Sequence, residues 1–246
     1  MTHANFDRVD LVPVEDNPEP RCPAILLLDR SWSMDGAPIN ALNQGLAQFV
    51  EELNKDSLAR LRVEPVVVSF GGDVTVYDPD GVALNPDTAD PAEIFTTVDQ
   101  WRPPHLTTNG GTPMGQAVLT ALELLHARKA MYRQHGLDYF RPWLVIISDG
   151  YPNLGWEQAA RKAQEDESAG RVIVLPIAVQ GADLSTLSEF SSAREAVLLD
   201  GLKFGPLFEW LSNSLTAVSN SNLGEQVAFQ PPQGWAVIDT SPGEER

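Results

Sequence analysis

The chain has 246 residues, 43% of them hydrophobic, and a formal net charge of −17 from 34 acidic and 17 basic side chains. This length supports one sizeable core. The charge disfavours nucleic acid and anionic membrane surfaces as partners, and suits a cation, a basic protein surface or simply solubility.

No apolar run approaches the roughly 20 residues of a membrane span. The start, MTHANFDRVDLVPVEDNPEP, lacks a basic segment followed by an apolar stretch, so no signal peptide is expected. The single cysteine, Cys22, has no intrachain partner, which fits a reducing, cytoplasmic setting. At the edge of an apolar run it reads as a small buried hydrophobe rather than a reactive thiol.

Residues 1–20 are acidic, carry three prolines and read as an extended arm. Ala24 to Leu28 is continuously apolar, as a strand buried on both faces should be. Ile39, Leu42, Leu46, Phe49, Val50 and Leu53 share one face of a helix. Arg62 to Phe70 is a second strand, with irregularity expected at Pro65. Gly71-Gly72 then turns into a short strand, Asp73 to Tyr77, making a hairpin.

Asp90-Pro91 caps and opens a short helix. Residues 101–112 form a loop, and Pro113 opens a long helix to about Gln134. Trp143 to Ser148 is another buried strand. Trp156 to Ala169 reads as helix, Arg171 to Val179 as strand, Asp183 to Phe190 as a short helix and Ala196 to Leu199 as an edge strand. Phe204 to about Ser219 closes the domain.

Strands alternating with amphipathic helices predict a doubly wound α/β fold. The expected sheet is six-stranded and mostly parallel, with one antiparallel edge strand and helices on both faces. The domain spans residues 21–219. Residues 220–246 form a Pro/Gly-rich tail, either pinned by Phe229 and Trp235 or loose.

In such a sheet ligands bind beyond the carboxyl ends of the strands, where the strand order reverses. Three segments converge there: Asp29-Arg30-Ser31-Trp32-Ser33, Gly110-Gly111-Thr112-Pro113 and Ser148-Asp149-Gly150. Two carboxylates and three hydroxyls are hard oxygen donors suited to Mg2+, Mn2+ or Ca2+. Neutral hydroxyls leave such an ion part of its charge and an exchangeable position, which a carboxylate from another molecule can fill. Each segment taken alone reads equally as a set of caps and turns.

The set D29-R-S-W-S33-M, G110-G-T112-P-M-G and S148-D149-G resembles the metal-ion-dependent adhesion site of the von Willebrand factor A domain. The resemblance covers roughly residues 22–219. Within that family the chain is most similar to bacterial tellurium-resistance TerY-type proteins. The features are the strand end at Leu28-Asp29 with its S-x-SM-x-G-x-PI continuation, N-x-G-L in the next helix, GGTP-x-G, and SDG-x-P.

The resemblance implies direct metal contact by Ser31, Ser33 and Thr112, with Asp29 and Asp149 contacting the ion directly or through water. It also implies a non-enzymatic scaffold in a tellurite or stress-resistance system, acting alongside a protein kinase and a phosphatase.

Four further residues are candidates for meeting a partner. Trp32 stands where the family usually has glycine. It either anchors a partner or folds back and narrows access to the ion. Arg30 answers nearby carboxylates or is solvated, the latter being favoured. Asp35 approaches the ion through water or starts the turn before Pro38. His105 lines the site or is solvated.

An enzyme reading has less support. A magnesium phosphatase of haloacid-dehalogenase type needs an acid two residues after its first aspartate, and Ser31 occupies that position. A G-x-S-x-G elbow, a P-loop and a G-x-G-x-x-G fingerprint are all absent from the sequence. A structural domain with a vestigial metal site is the third alternative.

Overall fold

The computed structural model describes residues 17–149, 151–225, 227 and 236. Its strands are β1 (Cys22–Asp29), β2 (Val63–Gly71), β3 (Asp73–Tyr77), β4 (Ala83–Leu84), β5 (Trp143–Ser148), β6 (Ile173–Ala178) and β7 (Val197–Leu198). The longer helices are α1 (Ala37–Lys55), α4 (Met114–Gln134), α5 (Glu157–Ser168) and α7 (Phe204–Asn220). Shorter ones are α2 (Ala59–Arg62), α3 (Pro91–Ile94) and α6 (Leu184–Ser188).

The sheet order is β4-β3-β2-β1-β5-β6-β7. Neighbours from β2 through β7 pair in parallel, whereas β3 is antiparallel to β2 and β4 antiparallel to β3. The doubly wound α/β architecture is as expected. The strand count is seven rather than six, because the two-residue β4 is too short to leave a pattern in the sequence.

β1 lies at the centre, and its side chains explain the two layers. Ala24, Leu26 and Leu28 join the core formed with Leu42, Leu46 and Phe49 of α1 and Phe204, Phe208 and Leu211 of α7. Ile25 and Leu27 point the other way, into the core shared with Val118 and Leu125 of α4 and Ala159 and Ala163 of α5. Alternation along one strand thus buries both faces, as its unbroken apolar sequence requires. On the first face α1 and α7 approach closely. A Cβ built on Gly45 would lie 2.4 Å from the Phe208 ring, so glycine is what this crossing admits.

β2 runs through Pro65 without interruption. β3 begins to pair only at Val68, so β2 is an edge at Pro65 and needs no donor on that side. Asp90 caps α3 by accepting from the Ala92 N–H at 2.8 Å, as its sequence position predicts.

Cys22 is fully buried, and burial pushes its thiol up to about 12. The end of the expected arm is docked: the Asn17 side chain donates to the Leu61 carbonyl at 2.8 Å, and Glu19 pairs with Arg62 at 2.5 Å. Residues 1–16 lie outside the described residues, as do Phe229 and Trp235. Ala236 forms an antiparallel bridge with Leu199 beside the β7 edge.

Candidate metal centre

The strand order reverses at β1, with β2 on one side and β5 on the other. Asp29 ends β1 and Ser148 ends β5, so the residues expected to carry the chemistry sit at this switch point.

Asp29 is fully buried. Its Oδ1 accepts the Ser31 backbone N–H at 2.8 Å, and its Oδ2 accepts the Ser148 hydroxyl at 2.5 Å. These bonds fix the carboxylate between two strands. No lysine, arginine or histidine among the described residues forms an ion pair with Asp29 or Asp149. Burial raises the Asp29 pKa to about 6; the hydrogen bonds from Ser148 and Ser31 oppose that rise and the nearby Asp149 charge adds to it. Asp149 is also raised, again chiefly by desolvation. Both carboxylates therefore stand in an environment that lacks positive charge.

After Asp29 the chain makes a single 3-10 turn over Trp32–Met34. Met34 is fully buried and anchors the turn in the core, while Ser31 is buried and Ser33 and Trp32 face outward. Ser31 Oγ and Ser33 Oγ lie 2.9 Å apart, and Ser33 Oγ donates to Asp149 Oδ1 at 2.7 Å. Asp149 is half-buried. The oxygens thus pass from a dry floor at Asp29 to an open side at Ser33 and Asp149.

The loop carrying Thr112 is stitched to both neighbours. The Trp32 N–H donates to the Gly110 carbonyl at 3.0 Å, and the Asn109 N–H to the Arg30 carbonyl at 2.7 Å. On the other side the Asn153 N–H donates to the Thr112 carbonyl at 2.9 Å. Gly110 has φ +53°, and a Cβ there would lie 2.3 Å from the Gly72 Cα. Only glycine allows these two loops to touch. Thr112 itself is buried.

Among the described residues no group of three or more His, Cys, Asp or Glu could hold a metal. The donors here are of another kind, two carboxylates and hydroxyls. Their chemistry, oxygen donors without sulfur or imidazole, fits a hard divalent cation such as Mg2+, Mn2+ or Ca2+.

The remaining candidates diverge. Trp32 is 63% exposed, so it does not fold back on the loop. Asp35 accepts from the Thr108 hydroxyl at 2.9 Å, and its N–H donates to the Trp32 carbonyl, consistent with a turn-forming role. His105 is exposed and makes no hydrogen bond or ion pair among the described residues.

The favoured, solvated reading of Arg30 is corrected: the residue answers a nearby carboxylate instead. Its side chain is only 11% exposed, pairs with Asp73 and donates to Ser69 Oγ at 3.1 Å and Thr75 Oγ1 at 3.4 Å. Asp73 and Thr75 lie on β3, the hairpin strand, and draw the guanidinium back against the sheet. Ser148, present in the sequence motif but given no role there, holds Asp29 in place, and Asn153, absent from the sequence reading, holds Thr112. The signal for Ser148 was its position at the end of a buried strand beside another strand's carboxylate.

Fold and site together define a doubly wound α/β domain that gathers hard oxygen donors at its central strand ends. The model of the von Willebrand factor type A domain matches residues 25–200, and the chain belongs to that family. No curated protein matches the chain.

Among solved structures it is similar to the vWF domain of the type V pili tip protein Mfa5 from Porphyromonas gingivalis. The identity is 10% over 83% of this chain and 98% of that one, with a TM-score of 0.59. It is similar also to the pilus adhesin SpaC from Lactobacillus rhamnosus GG, 12% identical over 80% of this chain and 30% of that one, TM-score 0.58. Proximal thread matrix protein 1 from the mussel byssus is 18% identical, with a TM-score of 0.50; the match covers 80% of this chain and about half (48%) of that one. At these identities the likeness is one of fold. No helix among the described residues is long and apolar enough to cross a membrane.

Proposed function

We propose that this chain is a metal-dependent protein-binding module. One divalent cation, Mg2+, Mn2+ or Ca2+, is held by Asp29, Ser31, Ser33, Thr112 and Asp149. The ion supplies a Lewis-acidic position open to solvent, and an aspartate or glutamate of a protein partner takes it.

The observation that carries this reading is the spacing of Ser31 Oγ, Ser33 Oγ and Asp149 Oδ1, at 2.9 and 2.7 Å, above a buried carboxylate with no cationic partner. A buried anion without a counter-charge costs several kcal/mol in general, and a bound cation removes that cost. The family match supports a protein-interaction role. Ser31 stands where a phosphatase of haloacid-dehalogenase type would need its acid, which favours binding over catalysis.

The motif likeness to TerY-type proteins supports a role in a cytoplasmic bacterial stress-resistance group, with a kinase and a phosphatase as candidate partners. Affinity purification from the native cell, with and without chelator, tests this. A partner retained in magnesium and lost both in EDTA and with Asp29→Ala is expected. A partner retained by well-folded Asp29→Ala would overturn it.

A further inference from the structure

Among the described residues, the three most exposed large apolar side chains lie in the loops of the candidate metal centre. Trp32 is 63% exposed, Tyr151 67% and Leu154 102%. Trp32 lies between the two serines, Tyr151 two residues beyond Asp149, and Leu154 directly after Asn153, which holds Thr112. Both segments belong to the site, yet none of these side chains is needed to bind an ion. Largely exposed tryptophan, tyrosine and leucine on two adjoining loops cost solubility and add little to the fold, and such clusters mark interaction surfaces.

The backbone beneath them is held. The Trp32 N–H is bonded to the Gly110 carbonyl, and the Asn153 N–H to the Thr112 carbonyl. An anchor whose main chain is already ordered loses little entropy on binding.

The charges around it restrict the occupant. The Arg30 guanidinium is committed to Asp73, Ser69 and Thr75. That pairing neutralises Asp73, and the exposed carboxylate Asp35, three residues after Trp32, has no cationic partner among the described residues. A segment carrying several acids would find one cation and otherwise meet like charge, which costs affinity.

Resting on the reading above, we infer that Trp32, Tyr151 and Leu154 form an apolar collar that selects a partner segment with a single aspartate or glutamate flanked by bulky apolar side chains. The carboxylate takes the open position on the ion and the flanking side chains cover the collar. Tryptophan and tyrosine at the centre of such a contact supply most of its free energy.

The test uses the full chain, fluorescently labelled, on an array of synthetic peptides. Each peptide carries one central aspartate or glutamate, with leucine, phenylalanine, serine or a second aspartate at the flanks. In magnesium, leucine- and phenylalanine-flanked peptides should be retained at least tenfold better than serine-flanked ones, and doubly acidic ones less well than either. EDTA should abolish all retention. Trp32→Ala and the pair Tyr151→Ser, Leu154→Ser should reduce apolar-flanked peptides to the serine-flanked level.

Magnesium-dependent capture indifferent to the flanks would overturn the collar while leaving the metal-dependent binding module standing. No magnesium-dependent capture by a chain that binds magnesium would remove that module and the collar with it. Loss of magnesium binding in the collar variants would assign these side chains to holding the loops. Magnesium-dependent self-association, seen by light scattering, would make a second copy of the chain the occupant; either result contradicts the inference.

Discussion

Ser33 donates its hydroxyl to Oδ1 of Asp149 at 2.7 Å, joining two residues 116 apart in sequence across the mouth of the site. The bond spans the β1 and β5 loops on their open side, above the fully buried Asp29. It is the link that an arriving cation would replace, since both oxygens would then point at the ion. Its loss should therefore weaken ion binding far more than it weakens the fold.

Ser33→Ala should lower magnesium affinity by about tenfold or more, one ligand being worth about 1–2 kcal/mol as a charge-assisted contact. Ser33 is exposed, so the thermal stability of the metal-free variant should stay within about 0.5 kcal/mol of the parent. Calorimetric titration and a melt in EDTA measure the two effects separately.

Asp29→Asn should stabilise the metal-free protein at pH 7 while removing its response to magnesium. Burial holds the Asp29 carboxyl near 6 instead of 3.8, which corresponds to a cost of about 3 kcal/mol on the charged form. An amide removes that cost and can still accept the Ser31 N–H. The melting temperature in EDTA should rise, and the addition of magnesium should leave it unchanged. A drop in melting temperature in EDTA would argue against an uncompensated charge at this position.

Magnesium binding should weaken on acidification below about pH 6, by up to tenfold per pH unit, as protons compete for Asp29. For the metal-free protein the sign is opposite. Between about 3.8 and about 6 the folded state binds more protons at this residue than the unfolded chain does, so its contribution to stability falls as pH rises through that window and is constant above it. Melts with and without magnesium at pH 5, 6 and 7.5 should show a magnesium-induced shift that grows with pH.

Gly110→Ala should cost about 3 kcal/mol. It combines a left-handed backbone at φ +53° with a Cβ only 2.3 Å from the Gly72 Cα. It should also displace Thr112 and reduce magnesium binding. Gly136→Ala is the control: φ is +65° but no atom lies within 4 Å of its Cβ, so only the backbone term of about 1 kcal/mol applies, and ion binding should be unaffected. Denaturant unfolding and calorimetry of both variants check this.

Much of this architecture could be read from residue patterns. Apolar runs located β1, β2 and β5 because strands buried on both faces leave no polar positions, and periodicity located α1 and α4. Ala83–Leu84 could not be found, since two partly exposed residues paired with Val76 and Tyr77 carry no period.

The lone acid in the apolar stretch RVEPVVVSF was a signal that went unused. Glu64 is buried and must be answered: Arg21 meets it at 3.1 Å and Arg128 at 2.9 Å, at the end of the strand remote from the metal centre. This network explains why Arg128 is buried on α4. The identities of Asp29, Ser31, Ser33, Thr112 and Asp149 came from motif spacing. The direction of Trp32 and the engagement of Arg30 did not, because they depend on a 3-10 turn anchored by Met34 and on β3 supplying Asp73.

The most direct test is titration calorimetry of Mg2+ into the metal-free chain and into Asp29→Ala at pH 7.5. One site per chain, occupied at millimolar magnesium or below in the parent and lost in a variant that remains folded by circular dichroism, is the expected result. No magnesium, manganese or calcium uptake by the folded parent at millimolar concentration, or equal uptake by Asp29→Ala, would contradict a cation held by Asp29, Ser31, Ser33, Thr112 and Asp149.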